Sequence, residues 1–236
     1  NLSILSVPKR GYALNILSLD TALTACSVAL WRDGAIDAKH FAPMDRGQSE
    51  AIMPMVRQVM AEAGARFSDI DLVAVTIGPG AFTGLRIGLA AARGLALAAD
   101  LPCLGVTTLD AVAAGVATAE RSAGTVLVVL ETKRDDVYAQ SFDSDLKQLN
   151  SPSAVVPERL NDAFPPGPLT VVGNAAPRVV AALERTGISV SLSTAPGLPD
   201  AAVVARIAAQ RWRPGQILSP PSPLYLRPPA VTRSLD

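Results

Sequence analysis

The sequence predicts an α/β fold made of two unequal domains, and three observations predict it. Short β-branched runs such as Val73-Ala-Val-Thr-Ile77 alternate with longer stretches whose apolar residues recur at helical spacing. The first three strand candidates follow one another directly, and Asp33-Gly34 between the second and third is a strong hairpin signal. A similar but sparser set of elements begins beyond residue 125, after a small, polar stretch from Glu120 to Thr125 that reads as a domain junction. The 236 residues are 49% hydrophobic and 18% charged, which is globular and long enough to bury real cores. Only 4% are aromatic, so Ala, Val, Leu and Ile must build those cores.

Each element follows from local pattern. Leu14 to Leu19 is the first strand, ending at Asp20-Thr21; Ala25 to Trp31 and Ala35 to Phe41 are the next two. Gln48 to Ala63 reads as an amphipathic helix with Ile52, Val56, Val59 and Ala63 on one face and Gly64 as its stop. Asp71 to Ile77 is the fourth strand, Gly78, Pro79, Gly80 and Gly84 punctuate the turn after it, and Leu85 to Ala99 continues as a helix of small residues. Leu101 to Val106 is a fifth strand, and Thr107-Thr108 opens a third helix to about Ala119. Three meandering strands, then helix, strand, helix, strand, helix, is the ribonuclease H-like order, the half-unit of actin-like folds. In the second half, strands are expected at Val126 to Leu130, Asp136 to Phe142 and Leu169 to Val172, with Pro- and Ser-rich sequence between Ser151 and Pro168. Helices are expected at Pro177 to Arg185 and Pro199 to Trp212, and a short strand at Leu224 to Leu226. The expected organisation is therefore an actin-like pair of ribonuclease H-like domains, the second more degenerate. Residues 1–13 are expected to be a disordered or artificial tail, 14–119 the first domain, 120–198 the second and 213–236 a Pro-rich C-terminal segment. The helix at 199–212 is free to pack back on the first domain.

Composition narrows the function. A formal net charge of zero argues against holding nucleic acid on a broad basic face. No apolar run reaches the roughly 18 residues of a membrane span, and Pro8-Lys9-Arg10 follows the N-terminal apolar patch in the wrong order for a secretory signal. Cys26 and Cys103 are lone cysteines without metal or redox spacing, so a cytoplasmic protein is expected. The single histidine, His40, has no helical partner for a zinc site, and no Gly-x-Ser-x-Gly elbow accompanies it. It reads as a strand residue, and no metal site or catalytic residue is expected.

Two features remain. The glycine turn could offer helix N–H groups to a phosphate, or could exist because strand and helix pack too closely for a Cβ; packing is preferred, since no Lys-Ser/Thr follows. Asp20 either faces a phosphate or metal or bonds its own turn with Thr21. Glu131-Thr-Lys-Arg-Asp-Asp136 reads first as solvated loop charge. The second feature is a partner surface. Met44, Met53, Met55 and Met60 cluster on or just before one helix, with Met53, Met55 and Met60 outside its core stripe. Gly88, Ala91, Ala92 and Gly94 would let another helix approach closely. A protein–protein interface is favoured over mutual packing of these two helices. On that reading Gly88→Arg leaves the monomer folded and abolishes pairing.

At this point the residues resemble a known family. Ile16-Leu-Ser-Leu-Asp-Thr21, Ala25-Cys-Ser-Val-Ala-Leu30, Ile52-Met-Pro-Met-Val56, Ile77-Gly-Pro-Gly-Ala-Phe-Thr-Gly-Leu-Arg-Ile-Gly88 and Gly94-Leu-Ala-Leu97 together are similar to the TsaB family. Leu130 to Tyr138 and Tyr225-Leu-Arg227 extend the likeness into the second half. The resemblance implies a glycoprotease-like, actin-like subunit without its own catalytic centre, needed to make threonylcarbamoyladenosine in tRNAs reading codons that begin with A. It implies pairing with a paralogous TsaD catalytic subunit and a TsaE ATPase, which carry the ATP and metal, and contact with tRNA only through that complex. Pairing would run through the two helices, over Met53, Met55, Met60, Leu85, Gly88, Ala91, Ala92 and Leu95, and the same face would form a homodimer in isolation. Asp20, Thr21, Gly78, Gly80, Gly84 and Gly173 would be vestiges of a nucleotide site, with no cofactor of its own; the alternative expectation is an actin-like ATPase or sugar-kinase relative acting on its own, with Asp20 and the Gly78 to Gly84 turn on phosphates. Two positions depart from the family pattern: Gln48 stands where a His is frequent, and Glu131-Thr132-Lys133 where Asp-Ala-Arg is usual.

Overall fold

Two five-stranded sheets carry the chain, in a computed structural model that describes residues 14–122, 124–162, 164–165 and 167–227. The tail expected over residues 1–13 and the end of the Pro-rich segment lie outside the described residues. The first sheet holds β1 (Asn15–Asp20), β2 (Ala25–Arg32), β3 (Ala35–Pro43), β4 (Leu72–Thr76) and β5 (Cys103–Val106), in the order β3-β2-β1-β4-β5. The first three are antiparallel, and β4 and β5 join parallel to β1. The second sheet holds β6 (Thr125–Glu131), β7 (Val137–Phe142), β8 (Ser153–Val155), β9 (Leu169–Val172) and β10 (Val190–Leu192), in the order β10-β9-β6-β7-β8. Counted from its own first strand, the second sheet repeats the arrangement of the first, with the same parallel and antiparallel pairs. This is the actin-like pair of domains.

Strand alternation explains the layers. In β1, Leu17 and Leu19 join Val73 and Val75 of β4 on one face, covered by α1 (Gln48–Glu62) and α2 (Phe82–Ala98). Ile16, Leu72 and Ala74 face the other way, onto α6 (Ala201–Arg211). In β6, Leu127 and Val129 face α5 (Ala176–Glu184), while Val126, Val128 and Leu130 face α3 (Thr108–Ala113). Because both faces are covered, the central strands read as continuous apolar runs.

The halves exchange their last helices. The residues of α3, from the first half, pack Leu109, Val112 and Ala113 on the second sheet. Helix α6 follows the second sheet yet lies on the first, where Ser18 Oγ donates to the Ala201 carbonyl at 2.7 Å and Ala201 N–H donates to Ser27 Oγ at 2.9 Å. Asp110 completes the join, bound by Arg211 of α6 at 2.9 Å and by Gln148 Nε2 at 2.9 Å.

Several local expectations are corrected. Helix α2 begins at Phe82, a turn before Leu85, because Ala81 takes an extended N-cap conformation and Gly84 is accommodated inside the helix. The third helix ends at Ala113; a turn through Gly115 precedes the separate short α4 (Thr118–Arg121). Strands β8 and β10 add to the expected set. Leu224 to Leu226 is not a strand: Leu224 donates one backbone bond to Ile77 O at 2.7 Å.

Candidate functional site

A cleft of about 570 Å³ opens between the two domains. One wall is the start of α1 and the Gly80–Gly84 turn into α2; the other is the turn between β6 and β7 with Tyr138 and Asn174. Neither helix start has a side-chain cap: Gly47 precedes α1 in a left-handed conformation, and Ala81 precedes α2. Arg46, Lys133 and Arg134 line the cleft with exposed side chains and no ion-pair partner among the described residues. Gln48 lies nearly buried at its edge and donates Nε2 to the Met44 carbonyl at 3.1 Å.

At Glu131, Thr132 and Asp136 the β6–β7 turn is built into the fold, which corrects the loop-charge reading there, while Lys133, Arg134 and Asp135 are exposed as that reading expects. Arg178 on α5 grips Glu131 through two bonds of 2.8 Å and also donates to the carbonyls of Asp135 and Asp136. Those bonds to Glu131 hold the guanidinium pKa above its usual range. Thr132 Oγ1 donates to Asp136 Oδ1 at 2.6 Å, and Asn174 Oδ1 accepts the Glu131 N–H at 2.9 Å. Arg178 carried no local sequence signal, since its partners are 42 to 47 residues away.

Of the vestigial nucleotide set, only Gly80 and Gly84 line the cleft. Asp20 is sealed beneath it: Thr76 Oγ1 donates to Asp20 Oδ1 at 2.6 Å, the Ala22 N–H donates to the same oxygen at 3.1 Å, and Oδ2 is buried without a hydrogen bond. Burial raises its pKa to about 7. Thr21 is buried with its hydroxyl bonded to Gly84 O. Gly78, at φ +107°, packs against Leu224 and Leu85, and Gly173, at φ +120°, presses on the Val129 backbone. A Cβ on Gly80 would meet Ala22 O at 2.4 Å and one on Gly84 would meet Thr21 O at 2.2 Å. The glycine turn is thus explained by close packing.

The partner set divides. Met55, Met60, Leu85, Gly88 and Ala92 are buried in this chain's own core, so they present no free surface. The arc of α1 is wider than its stripe because the helix packs on α2 as well as on β2 and β3. Leu85 sits in the cluster that packs on the second sheet, with Ala22, Leu23 and the residues of α3. A Cβ on Gly88 would lie 2.5 Å from Thr21 Oγ1, so an arginine there would break the fold; the expectation that Gly88→Arg leaves the monomer folded is corrected. Ala91 and Leu95 are half-buried, Met53 is 40% exposed and Leu97 85% exposed. Gly94 is exposed, and a Cβ there would meet nothing within 4 Å. Leu97 and Gly94 are therefore the stronger surface residues on α2.

The remaining candidates are structural. His40 Nε2 bonds Glu62 Oε1 at 2.9 Å. Cys26 and Cys103 are buried, and burial pushes their thiols up to about 12 and about 11. Among the described residues no group of three or more His, Cys, Asp or Glu could hold a metal ion, and no helix is long and apolar enough to cross a membrane.

Comparison with known proteins adds to this geometry. A family model described as TsaD, tRNA N6-adenosine threonylcarbamoyltransferase, matches residues 43–182. The tRNA threonylcarbamoyladenosine biosynthesis protein TsaB of Escherichia coli K12 is 42% identical over 132 residues, covering 56% of this chain and 56% of that protein. The chain spans about half the length of the curated TsaB relatives it matches. A crystal structure from Pseudomonas aeruginosa, described as an uncharacterized protein with similarity to peptidase YeaZ, superposes with a TM-score of 0.78. It is 30% identical, and the match covers 91% of this chain and 100% of that one. Component A of the Acidaminococcus fermentans (R)-2-hydroxyglutaryl-CoA dehydratase shares the fold alone, with a TM-score of 0.50 at 14% identity over 84% of this chain and 100% of that one.

Proposed function

The chain belongs to the TsaB family of tRNA threonylcarbamoyladenosine biosynthesis proteins, and from that premise we propose that it is a non-catalytic subunit. It pairs with and activates a TsaD-type transferase that makes N6-threonylcarbamoyladenosine in tRNAs reading codons that begin with A. A TsaE-type ATPase joins the pair, ATP and metal reside on those partners, tRNA is met through the complex, and the chain forms a homodimer when alone.

The observation that carries this reading is the sealed state of Asp20. An actin-like enzyme presents the carboxylate at the end of its first strand to a phosphate or metal. Here that carboxylate is fully buried, bound to Thr76 and Ala22, and removed from the cleft wall. A peptidase reading would rest on His40, which is engaged with Glu62 at the outer strand. Exposed Leu97 and Met53, with open Gly94 on α2, supply a surface on which a partner helix could lie.

Reconstitution tests the proposal: threonylcarbamoylation of tRNA by the cognate transferase and ATPase, with and without this chain. Product formation that depends on the chain supports the subunit role. Full activity without it overturns that role.

Arg46, Lys133 and Arg134, which line the cleft without an ion-pair partner among the described residues, favour one second reading, a nucleotide-binding protein acting by itself. Saturable binding of Mg·ATP by the isolated chain, lost in Arg46→Ala, supports that alternative; absence of binding at millimolar nucleotide removes it.

A further inference from the structure

The polypeptide after α6 returns across both domains along a seat shaped for it. Leu224 donates its N–H to Ile77 O at 2.7 Å, just beyond β4. Gly78 leaves room for the Leu224 carbonyl, which a Cβ would approach to 2.9 Å, and Gly105 leaves room for Pro221, whose Cβ would be 3.1 Å away. Tyr225 then stacks on Phe82 of α2, with centroids 5.2 Å apart and planes at 29°. Arg86 lies over the Phe82 ring at 3.7 Å and donates Nε to Tyr225 Oη at 3.2 Å. Arg227, two residues on, reaches the other domain and pairs with the buried carboxylate of Asp136.

Asp136 belongs to the rigid β6–β7 turn. Its Oδ1 accepts Thr132 Oγ1, and its carbonyl accepts Arg178. A pull on Asp136 is therefore a pull on the turn that carries Lys133 and Arg134 along one wall of the cleft. Tyr225 is fastened to the opposite wall, at the start of α2. The chain thus crosses the cleft between two anchors, one aromatic and one ionic.

We propose that residues 217–227 form a strap, that the Arg227–Asp136 pair latches the two domains together across the cleft, and that opening this latch lets the cleft widen. The asymmetry of the pair suits a latch. Asp136 is 5% exposed, so losing its cation leaves a buried charge uncompensated. Arg227 is 38% exposed, so water and salt reach the pair and can compete for it.

The test uses the full chain with spin labels on Ser49→Cys and Asp135→Cys, exposed positions on opposite sides of the cleft, and hydrogen exchange at the Leu224 amide. Arg227→Gln should shift the label separation to longer distances and speed Leu224 exchange about tenfold, a local opening change of about 1.4 kcal/mol. Asp136→Asn should do the same, and the double variant should be no worse than either single one. Wild-type protein moved from 0.1 M to 1 M salt should widen likewise, which keeps the test independent of any misfolding variant. An unchanged distance distribution in folded Arg227→Gln, no widening of the wild type at 1 M salt, or additive effects in the double variant would each overturn the latch.

Discussion

Thr21 gives its hydroxyl proton to the carbonyl oxygen of Gly84, 2.7 Å away, and so fastens the end of β1 beneath the first turn of α2. The same hydroxyl oxygen stands 2.5 Å from where a Cβ of Gly88 would be. Strand and helix approach so closely that Gly84 and Gly88 answer a demand within this chain. Gly94, further along the helix, answers none: the space beside it is empty.

That contrast yields opposite effects for one chemical change. Gly88→Ala should destabilise the protein by about 1–3 kcal/mol, as overpacking against a buried hydroxyl does. Gly94→Ala should stabilise it by up to about 1 kcal/mol, by removing a helix-interior glycine from an open site. Urea unfolding of both variants checks the pair; equal destabilisation would mean that Gly94 is also packed.

On the proposed pairing, surface changes separate folding from association. Leu97→Glu should keep the wild-type midpoint of unfolding and Gly94→Arg should keep or raise it, since both positions face solvent in the single chain and the second loses a helix-interior glycine. Each should weaken binding to the transferase subunit at least tenfold, and tRNA modification should fall with it. Wild-type binding by both variants would place the partner elsewhere.

Asp20 gives a pH signature. Its folded pKa of about 7 lies above the ordinary 3.8, so between those values the folded protein holds a proton that the unfolded chain has lost. Stability contributed by this group is therefore present below about pH 4 and lost as pH rises through 7, an effect of about 4 kcal/mol at most. Asp20→Asn should remove that fall, so the variant gains on the wild type as pH increases from 4 to 8. Parallel stability curves for the two proteins over that range would show that the carboxylate is not protonated in the fold.

Arg178 can be tested without touching the cleft wall. Its fork meets both Glu131 oxygens and two carbonyls of the turn, a geometry that lysine cannot copy. Arg178→Lys should cost about 1–2 kcal/mol and raise exchange rates across residues 131–136, while the first domain exchanges as before. Uniform loosening of both domains would assign the arginine a global role instead.

Local pattern makes most of the first domain legible. The Asp33-Gly34 turn, the apolar runs of β1 and β4, and the 3.6-residue stripe through Ile52, Val56 and Val59 each depend on residues close in sequence. The second domain is less legible because β8 and β10 are three residues long and exist only as pairings with β7 and β9. The partner residues divide for a related reason. Met53 and Met55 look alike as letters, yet one is exposed and the other is buried between the sheet and α2.

Residue identity and short spacing are enough to settle the element order from β1 to β5, the presence of a second, sparser strand-and-helix unit, the absence of histidine pairs and the likeness to a tRNA-modification family. Three outcomes lie beyond them: α3 packs on the second sheet and α6 on the first, Asp20 is sealed away from the cleft, and Arg178 and Arg227 both bind the β6–β7 turn. Those depend on which distant surfaces meet, and on burial, which turns an ordinary carboxylate into one that must be paired or protonated. No local window of sequence contains that information; the packed chain does.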